Sequence, residues 1–278
     1  MRIDLNTRKL VANRTTVPNL PSDILNTKPG QSPSNRSLER GIEVLRAFRP
    51  GSELLGNGEI AERTGLSKST VSRLTQTLVG CGMLQLDSSQ RAYRLAPAIL
   101  SFSHAMRSGS RVLAAAAPHM LELAKRRQIN VGLAAPDRDE MVYLESIRYA
   151  RRVALRHVVS GQRVPMELTS LGRAYLAVAP ERQQRALMGL FRRRRKAQWP
   201  TLRPELERAF ADVLEKGYCA ASWQPEVVAL AAPFHFEEAT YVFNVSVSTK
   251  TSIIDVSTDL SSSLLTLLKT IRTELAKR

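Results

Sequence analysis

Residues 59–79, "EIAERTGLSKSTVSRLTQTLV", constrain the fold more than any other stretch. Apolar positions recur at helical spacing in two short runs separated by Gly65. The spacing predicts a helix over Glu59–Arg63 and a second over Lys68–Val79, with Ser67 at its N-cap. Ala61 is small enough for two helices to cross closely, and Gly65 permits the tight connection between them. In the second helix Val71, Leu74 and Leu78 make one apolar stripe, and Ser69, Ser72, Arg73 and Gln76 lie opposite it. A face that serves only solubility more often carries Glu and Lys. Here no acid occurs between Glu62 and Asp87. Such a face can approach phosphates without repulsion and can hydrogen-bond to base edges. The pattern is that of a helix-turn-helix.

The next segment, "MLQLDSSQRAYRLAP", predicts two short strands around a turn at Asp87–Gln90. That is a β-wing, whose tip residues Ser88, Ser89, Gln90 and Arg91 would reach the DNA backbone or the adjacent minor groove. The candidate DNA-binding residues are Ser67, Lys68, Ser69, Thr70, Ser72, Arg73, Gln76 and Arg91. Aromatic side chains suited to stacking on single strands are absent from residues 57–95 apart from Tyr93, which favours duplex DNA over RNA.

Upstream, "RSLERGIEVLRAFRPG" sets Leu38, Ile42, Leu45 and Phe48 at helical spacing, with Ser37 as the expected cap. Residues 1–35 are rich in Pro, Ser and Asn and read as a disordered basic tail. Downstream, Pro97 opens a helix to about Met106, and a long helix is expected over Val112–Arg127. Strands are predicted in "INVGLAA", "EMVYLESI", "RVALRHVV", "VVALAAPFHF" and "TYVFNVSVS". Helices are predicted near 170–178, 181–190, 204–216 and 260–276. This order implies an α+β domain with a largely antiparallel sheet. The basic run "FRRRRKAQW" is expected to be a solvated loop between two of those helices.

The 278 residues carry 41 Lys and Arg against 25 Asp and Glu, a net charge of +16. This favours a polyanionic partner, nucleic acid first and an anionic membrane surface second. The excess is +3 in residues 1–35, +4 in 36–109 and +9 in 110–278, so charge alone locates no site. No run approaches the roughly 18 apolar residues of a membrane span, and a cytoplasmic protein is expected. Cys81 and Cys219 lack any ligand spacing, so neither a disulfide framework nor a metal site is expected. GxSxG, HExxH, Walker and GxGxxG motifs are absent, so neither an enzyme nor a cofactor is expected. His157 and His235, in two predicted strands, are the pair of histidines that could meet in space.

The segment "RSLERGIEVLRAF…EIAERTGLSKSTVSRLTQTLVGCGMLQLDSSQRAYRLAPAILSF" resembles the winged helix-turn-helix of the IclR (isocitrate lyase regulator) family. "DEMVYLESI", "GQRVPMELTSLGRAYLA", "KGYCAAS" and "LAAPFH…VFNVSVS" resemble that family's effector-domain landmarks, in order. The resemblance covers about residues 36–277. It implies an N-terminal winged helix-turn-helix over residues 36–96, a linker helix over 97–110 and a GAF-like α/β effector and oligomerisation domain over 111–278. It implies a regulator, more often a repressor than an activator, acting as a homodimer or tetramer on a pseudo-palindromic operator. The implied effector is a small organic acid or aromatic molecule. By position in the family's motifs, its contacts map to Thr169, Ser170, Leu171 and Gly172, to Ala229, and to Ser246 and Ser248. A carboxylate would then sit near the helix start at Thr169–Gly172. The chain departs from the family at Met166-Glu167-Leu168 and in "GYCAASWQPEVVALAAP", which has no acid before Glu226. Those departures imply a less polar effector or a degraded pocket.

Overall fold

The computed structural model describes residues 35–149, 159–224, 226–248 and 253–277. Their contacts divide them into two compact units, which meet in sequence at Met106 and Arg107.

The first unit begins with α1 (Arg36–Arg46), α2 (Asn57–Thr64) and α3 (Lys68–Gly80). The two-stranded wing follows, β1 (Leu84–Asp87) and β2 (Ala92–Leu95), and then α4 (Ala98–Ser108). The cap of α1 is Asn35, whose Oδ1 accepts the Ser37 and Leu38 N–H groups at 3.1 Å. Ser37 is therefore inside the first turn, a correction to the expected cap. Val44, Ala47, Phe48, Leu55, Ile60, Val71, Leu84 and Tyr93 form the core, with Ala61, Leu74 and Leu78 packed against it. Leu38 and Ile42, expected on the buried stripe of α1, are exposed. The α1 face turned to the core carries Val44, because the burial centre lies at the helix C-terminal end. Leu55 exchanges backbone hydrogen bonds with Tyr93 at 2.9 and 3.0 Å, tying the α1–α2 connection to the wing.

The second unit holds α5 (Arg111–Arg127), β3 (Asn130–Asp137), β4 (Glu140–Ile147), β5 (Arg163–Pro165), α6 (Ser170–Val178), α7 (Glu181–Arg194) and α8 (Trp199–Lys216). It continues with β6 (Cys219–Ala221), β7 (Val227–Phe236), β8 (Ala239–Ser248) and α9 (Ile253–Ala276). Six strands pair in the order β5-β4-β3-β8-β7-β6, every neighbour antiparallel. β5 and β6 were not anticipated, since three residues are too few to show a period. The expected "RVALRHVV" strand lies outside the described residues, except for Val159, and so do His157 and the tail through residue 34.

Alternation divides the sheet into two faces. Val131, Leu133, Val228, Leu230, Ala232, Phe234, Phe243 and Val245 pack against α5 and α9 in the main core. The opposite face carries Asn130, Gly132, Ala229, Ala231, Asn244 and Ser246, and α6 lies across it.

The basic run is not a loop. α7 extends to Arg194, and α8 begins at Trp199. Arg192, Arg193 and Lys196 are exposed, but Arg194 pairs with Asp139, and Arg195 Nε donates to Glu167 Oε1 at 3.0 Å. Glu167 is fully buried, and so two of the five cations hold the connection before α6 in place. α9 starts seven residues earlier than expected, because "IIDVSTD" is rich in β-branched residues and gives no helical signal.

Candidate nucleic-acid interface and effector site

Helix α3 is built as the sequence requires. Gly65 ends α2 with φ +70°, its N–H bonding the Ala61 carbonyl at 2.9 Å. Ser67 caps α3, its Oγ accepting the Thr70 N–H at 3.3 Å. The Ser67 hydroxyl also meets the Ser69 and Thr70 hydroxyls at 3.1 and 2.9 Å. Val71 is buried, Leu74 and Leu78 are half-buried, and Lys68, Ser69, Arg73 and Gln76 are exposed. Thr70 and Ser72 are half-buried at the margin of that face. No described acid pairs with Lys68 or Arg73. By contrast, Arg63 at the end of α2 donates to the Ala47 carbonyl and to Ser52 Oγ, both at 3.1 Å, which commits it to the fold.

The wing tip is ordered by Asp87. Its Oδ1 accepts the Ser89 hydroxyl at 2.5 Å and the Ser89 and Gln90 N–H groups at 3.1 and 3.2 Å. The Ser89 hydroxyl, followed by the Gln90 N–H and the Arg94 charge, holds the Asp87 carboxyl below its ordinary range. Arg94 is thereby paired with Asp87. Arg91 is exposed at φ +50°. The interface thus presents uncompensated Lys68, Arg73 and Arg91 beside hydroxyl and amide groups, as groove and phosphate contacts require.

Thr75 was overlooked. It is buried on the inner side of α3, donates to the Val71 carbonyl at 3.0 Å and meets Asn57 Oδ1 at 3.3 Å, linking α3 to α2.

In the second unit, sheet register sets Asn130, Ser246 and Ala229 in one row across β3, β8 and β7. The next row is Gly132, Asn244 and Ala231. Asn130 Nδ2 reaches Ser246 Oγ at 3.5 Å, and its Oδ1 accepts the Tyr149 N–H at 3.0 Å. Ser246 is buried, Ala229 half-buried and Ser248 exposed at the strand end. Thr169 is the N-cap of α6: its hydroxyl accepts the Gly172 N–H at 3.3 Å and donates to the Pro165 carbonyl at 2.8 Å. Ser170 and Leu171 are buried, and the Ser170 carbonyl lies 3.5 Å from Cys219 Sγ. At Gly172 a Cβ would come within 2.1 Å of the Met166 backbone. Thr169 and Gly172 therefore hold the α6 start against its preceding loop.

The face is more polar than the departures in sequence suggest. Tyr143 on β4 pairs with Ala134, and a Cβ on Gly132 would touch both Asn244 Oδ1 and the Tyr143 ring, at 2.3 and 2.6 Å. Burial pushes the Tyr143 hydroxyl up, with the nearby Arg148 charge and Asn244 opposing. Asn130, Tyr143, Arg148 and Asn244 were missed in the sequence. Asn244 was legible, since it continues the period-2 series of Ser246 and Ser248. Trp223 is exposed, and so is His235, its Nδ1 3.0 Å from Thr240 Oγ1. Two open depressions in the described surface, one along α7–α8 at Trp199 and one beside the wing, contain no expected effector residue. No helix is long and apolar enough to cross a membrane, and no cluster of three metal-ligating side chains occurs among the described residues.

Residues 37–88 match the model of the IclR helix-turn-helix domain, and residues 104–274 match that of the bacterial transcriptional regulator IclR C-terminal domain. The chain is similar to the HTH-type transcriptional regulator TsaQ1/TsaQ2 of Comamonas testosteroni, 34% identical over 66% of this chain and 66% of that protein's length. It is similar in structure to an IclR family transcriptional regulator from Brucella abortus, 35% identical with a TM-score of 0.78, covering 88% of this chain and 96% of the other. An IclR homologue from Microbacterium hydrocarbonoxydans complexed with 4-hydroxybenzoate shares the fold at 21% identity and a TM-score of 0.65, covering 87% of this chain and all 100% of that one.

Proposed function

We propose a function from a plain premise: this chain belongs to the IclR family of helix-turn-helix transcriptional regulators. In this reading residues 36–96 bind DNA, residues 97–110 link, and residues 111–278 bind an effector and oligomerise. α3 enters the major groove. Arg73 and Gln76 read base edges; Lys68, Ser67, Ser69, Thr70 and Ser72 approach the backbone and groove floor; Arg91 holds a phosphate from the wing. The observation that carries this is the α3 face, exposed, hydroxyl-rich and free of acids from Glu62 to Asp87.

The active species is a homodimer or a tetramer built from dimers. Supporting this, Leu38, Ile42, Leu100, Phe102 and Met106 are all exposed apolar residues on α1 and α4. Scattered apolar residues need no explanation, but five on two helices of one small unit suit a self-complementary interface. A two-fold dimer would read half-sites about one helical turn apart. The protein acts in the cytoplasm as a repressor rather than as an enzyme.

The effector is a small carboxylate or aromatic molecule held on the inner face of the sheet, near Thr169–Gly172, Ala229, Ser246 and Ser248. Binding there alters operator affinity by a coupling free energy passed through the linker. That the Microbacterium homologue was solved with 4-hydroxybenzoate is consistent with such a ligand.

Fluorescence anisotropy over a salt series tests the reading, using the DNA upstream of the gene and a scrambled duplex. Specific regulators prefer their site by roughly a thousandfold or more near physiological salt. Equal binding that collapses with salt would reduce the function to net charge.

A further inference from the structure

Residues 182–204 carry eight Arg and Lys and no Asp or Glu, a denser cationic run than the acid-free residues 63–86, which carry Arg63, Lys68 and Arg73. Two of the eight are consumed by the fold: Arg194 pairs with Asp139, and Arg195 with the buried Glu167. Two more are matched on the surface, Arg185 by Glu181 and Arg203 by Glu207. Arg182, Arg192, Arg193 and Lys196 are left, all exposed and with no partner among the described residues. Helix α7 buries Leu187, Leu190 and Phe191, and helical spacing sets Arg182, Arg185, Gly189, Arg192 and Arg193 on its other side. A Cβ on Gly189 would meet only Arg193 Nη1, at 3.6 Å, so the backbone is approachable in the middle of this stripe. Arg192 also borders an open depression of about 450 Å³ with Trp199, Pro200 and Arg203; Glu207, already paired with Arg203, is the one acid there.

Local stability does not account for the stripe. Cations in the last turn complement the helix dipole, but Arg182 stands in the first turn, where the dipole opposes it. Arg182 and Arg185, three residues apart, repel each other. A face serving solubility alone would mix in acids, as α8 does from Glu205 onward. Three of the four unmatched cations are Arg, whose fork matches phosphate bidentately. The stripe holds no large apolar side chain, so it lacks what a helix needs to lie in a membrane surface. The helix spans about 20 Å, over which one DNA strand passes about six phosphates. DNA held by the first unit would be at high local concentration around the second. We propose that α7 is a second, sequence-independent DNA contact, in which Arg182, Arg192, Arg193 and Lys196 bind backbone phosphates of duplex outside the operator. This rests on the regulator reading, in that the operator brings the duplex to the protein, and it enlarges the footprint without adding base readout.

The test is anisotropy of the full chain over a salt series, on a duplex trimmed to the footprinted operator and on the same operator between long flanks. The flanked duplex should bind more tightly and with a steeper salt slope. Arg192→Gln, Arg193→Gln and Lys196→Gln together should keep the wild-type Tm, leave the trimmed duplex bound as before, and cut the slope on the flanked duplex by about 3, one per lost contact. A control triple, Lys125→Gln, Lys269→Gln and Lys277→Gln, removes the same charge from exposed positions on α5, on α9 and just past it. It should change that slope by less than about 1. The proposal is overturned if the flanks add nothing, if the first triple keeps the wild-type slope, or if both triples lose equally, which would leave net charge alone. Binding to acidic phospholipid vesicles that the first triple loses, with its DNA slope intact, would give the surface to a membrane and overturn the proposal as well. A wild type that binds trimmed operator and scrambled duplex alike would count against the regulator reading, while the slope difference between the two triples on long duplex would still decide the α7 contact.

Discussion

Helix α3 presents Ser69, Arg73 and Gln76 to solvent from one continuous segment, whereas the inner sheet face gathers Asn130, Tyr143, Asn244 and Ser246 from three strands and shields them from water, with Arg148 half-buried at the end of β4. The first surface is polar because it is meant to be wet until it meets another polyelectrolyte. The second is polar in a place where polarity costs stability unless something satisfies it. A helix face tolerates substitution in folding terms and is sensitive in binding terms. A buried face couples the two, since the groups that would recognise a ligand also pack the unit.

The largest expected effect separates the regions by stability. Gly172→Ala should destabilise the second unit by about 3 kcal/mol, because the added methyl meets the Met166 backbone, which cannot yield as a side chain would. Denaturant unfolding followed in the isolated variant should show that unit failing first. A variant as stable as wild type would mean that the loop before α6 is not the rigid support described. Next, Arg73→Ala should leave Tm unchanged and weaken operator binding by about 1–3 kcal/mol while relaxing sequence preference. Equal losses on operator and scrambled duplex would contradict base readout by that side chain. Arg91→Ala should weaken all duplexes alike and lower the salt slope by about 1, as removal of one phosphate contact does. An unchanged slope would take the wing tip off the DNA. The smallest effect is chemical. Burial, with the Arg173 charge opposing it, pushes the Cys219 thiol up to about 12, while Cys81 is exposed. Iodoacetamide at pH 8 should therefore add one group to the native chain, at Cys81, and two after unfolding. Native labelling of Cys219 would show that the α6 side of the sheet opens readily.

Much of the first unit was legible. The α3 prediction ended one residue short of Gly80, and Ser67 caps as expected, because capping and periodicity are local. The cap of α1 was misplaced by two residues because Asn35 and Ser37 are both able caps and only the entry angle of the chain chooses between them. In the second unit β4 and β7 were placed to the residue, yet what lies beside what was not. Arg194 and Arg195 show the difference. In sequence they belong to a charge run, and only the hairpin bringing Asp139 alongside, with Glu167 from the loop before α6, makes them half-buried, paired residues.

By itself the sequence determined that this chain makes a helix-turn-helix with a wing, which side of α3 faces outward, and that an antiparallel α+β domain follows. Those properties depend on neighbours within a few residues, and the order of residues states them directly. Only the tertiary structure decided that Asn130, Ser246 and Ala229 form one row, and that Asn244 and Tyr143 crowd Gly132. Strand register and a bulge opposite Leu133/Ala134 set those meetings across as many as 116 positions of chain, and the β3–β8 pairing has no connecting turn to fix its register locally.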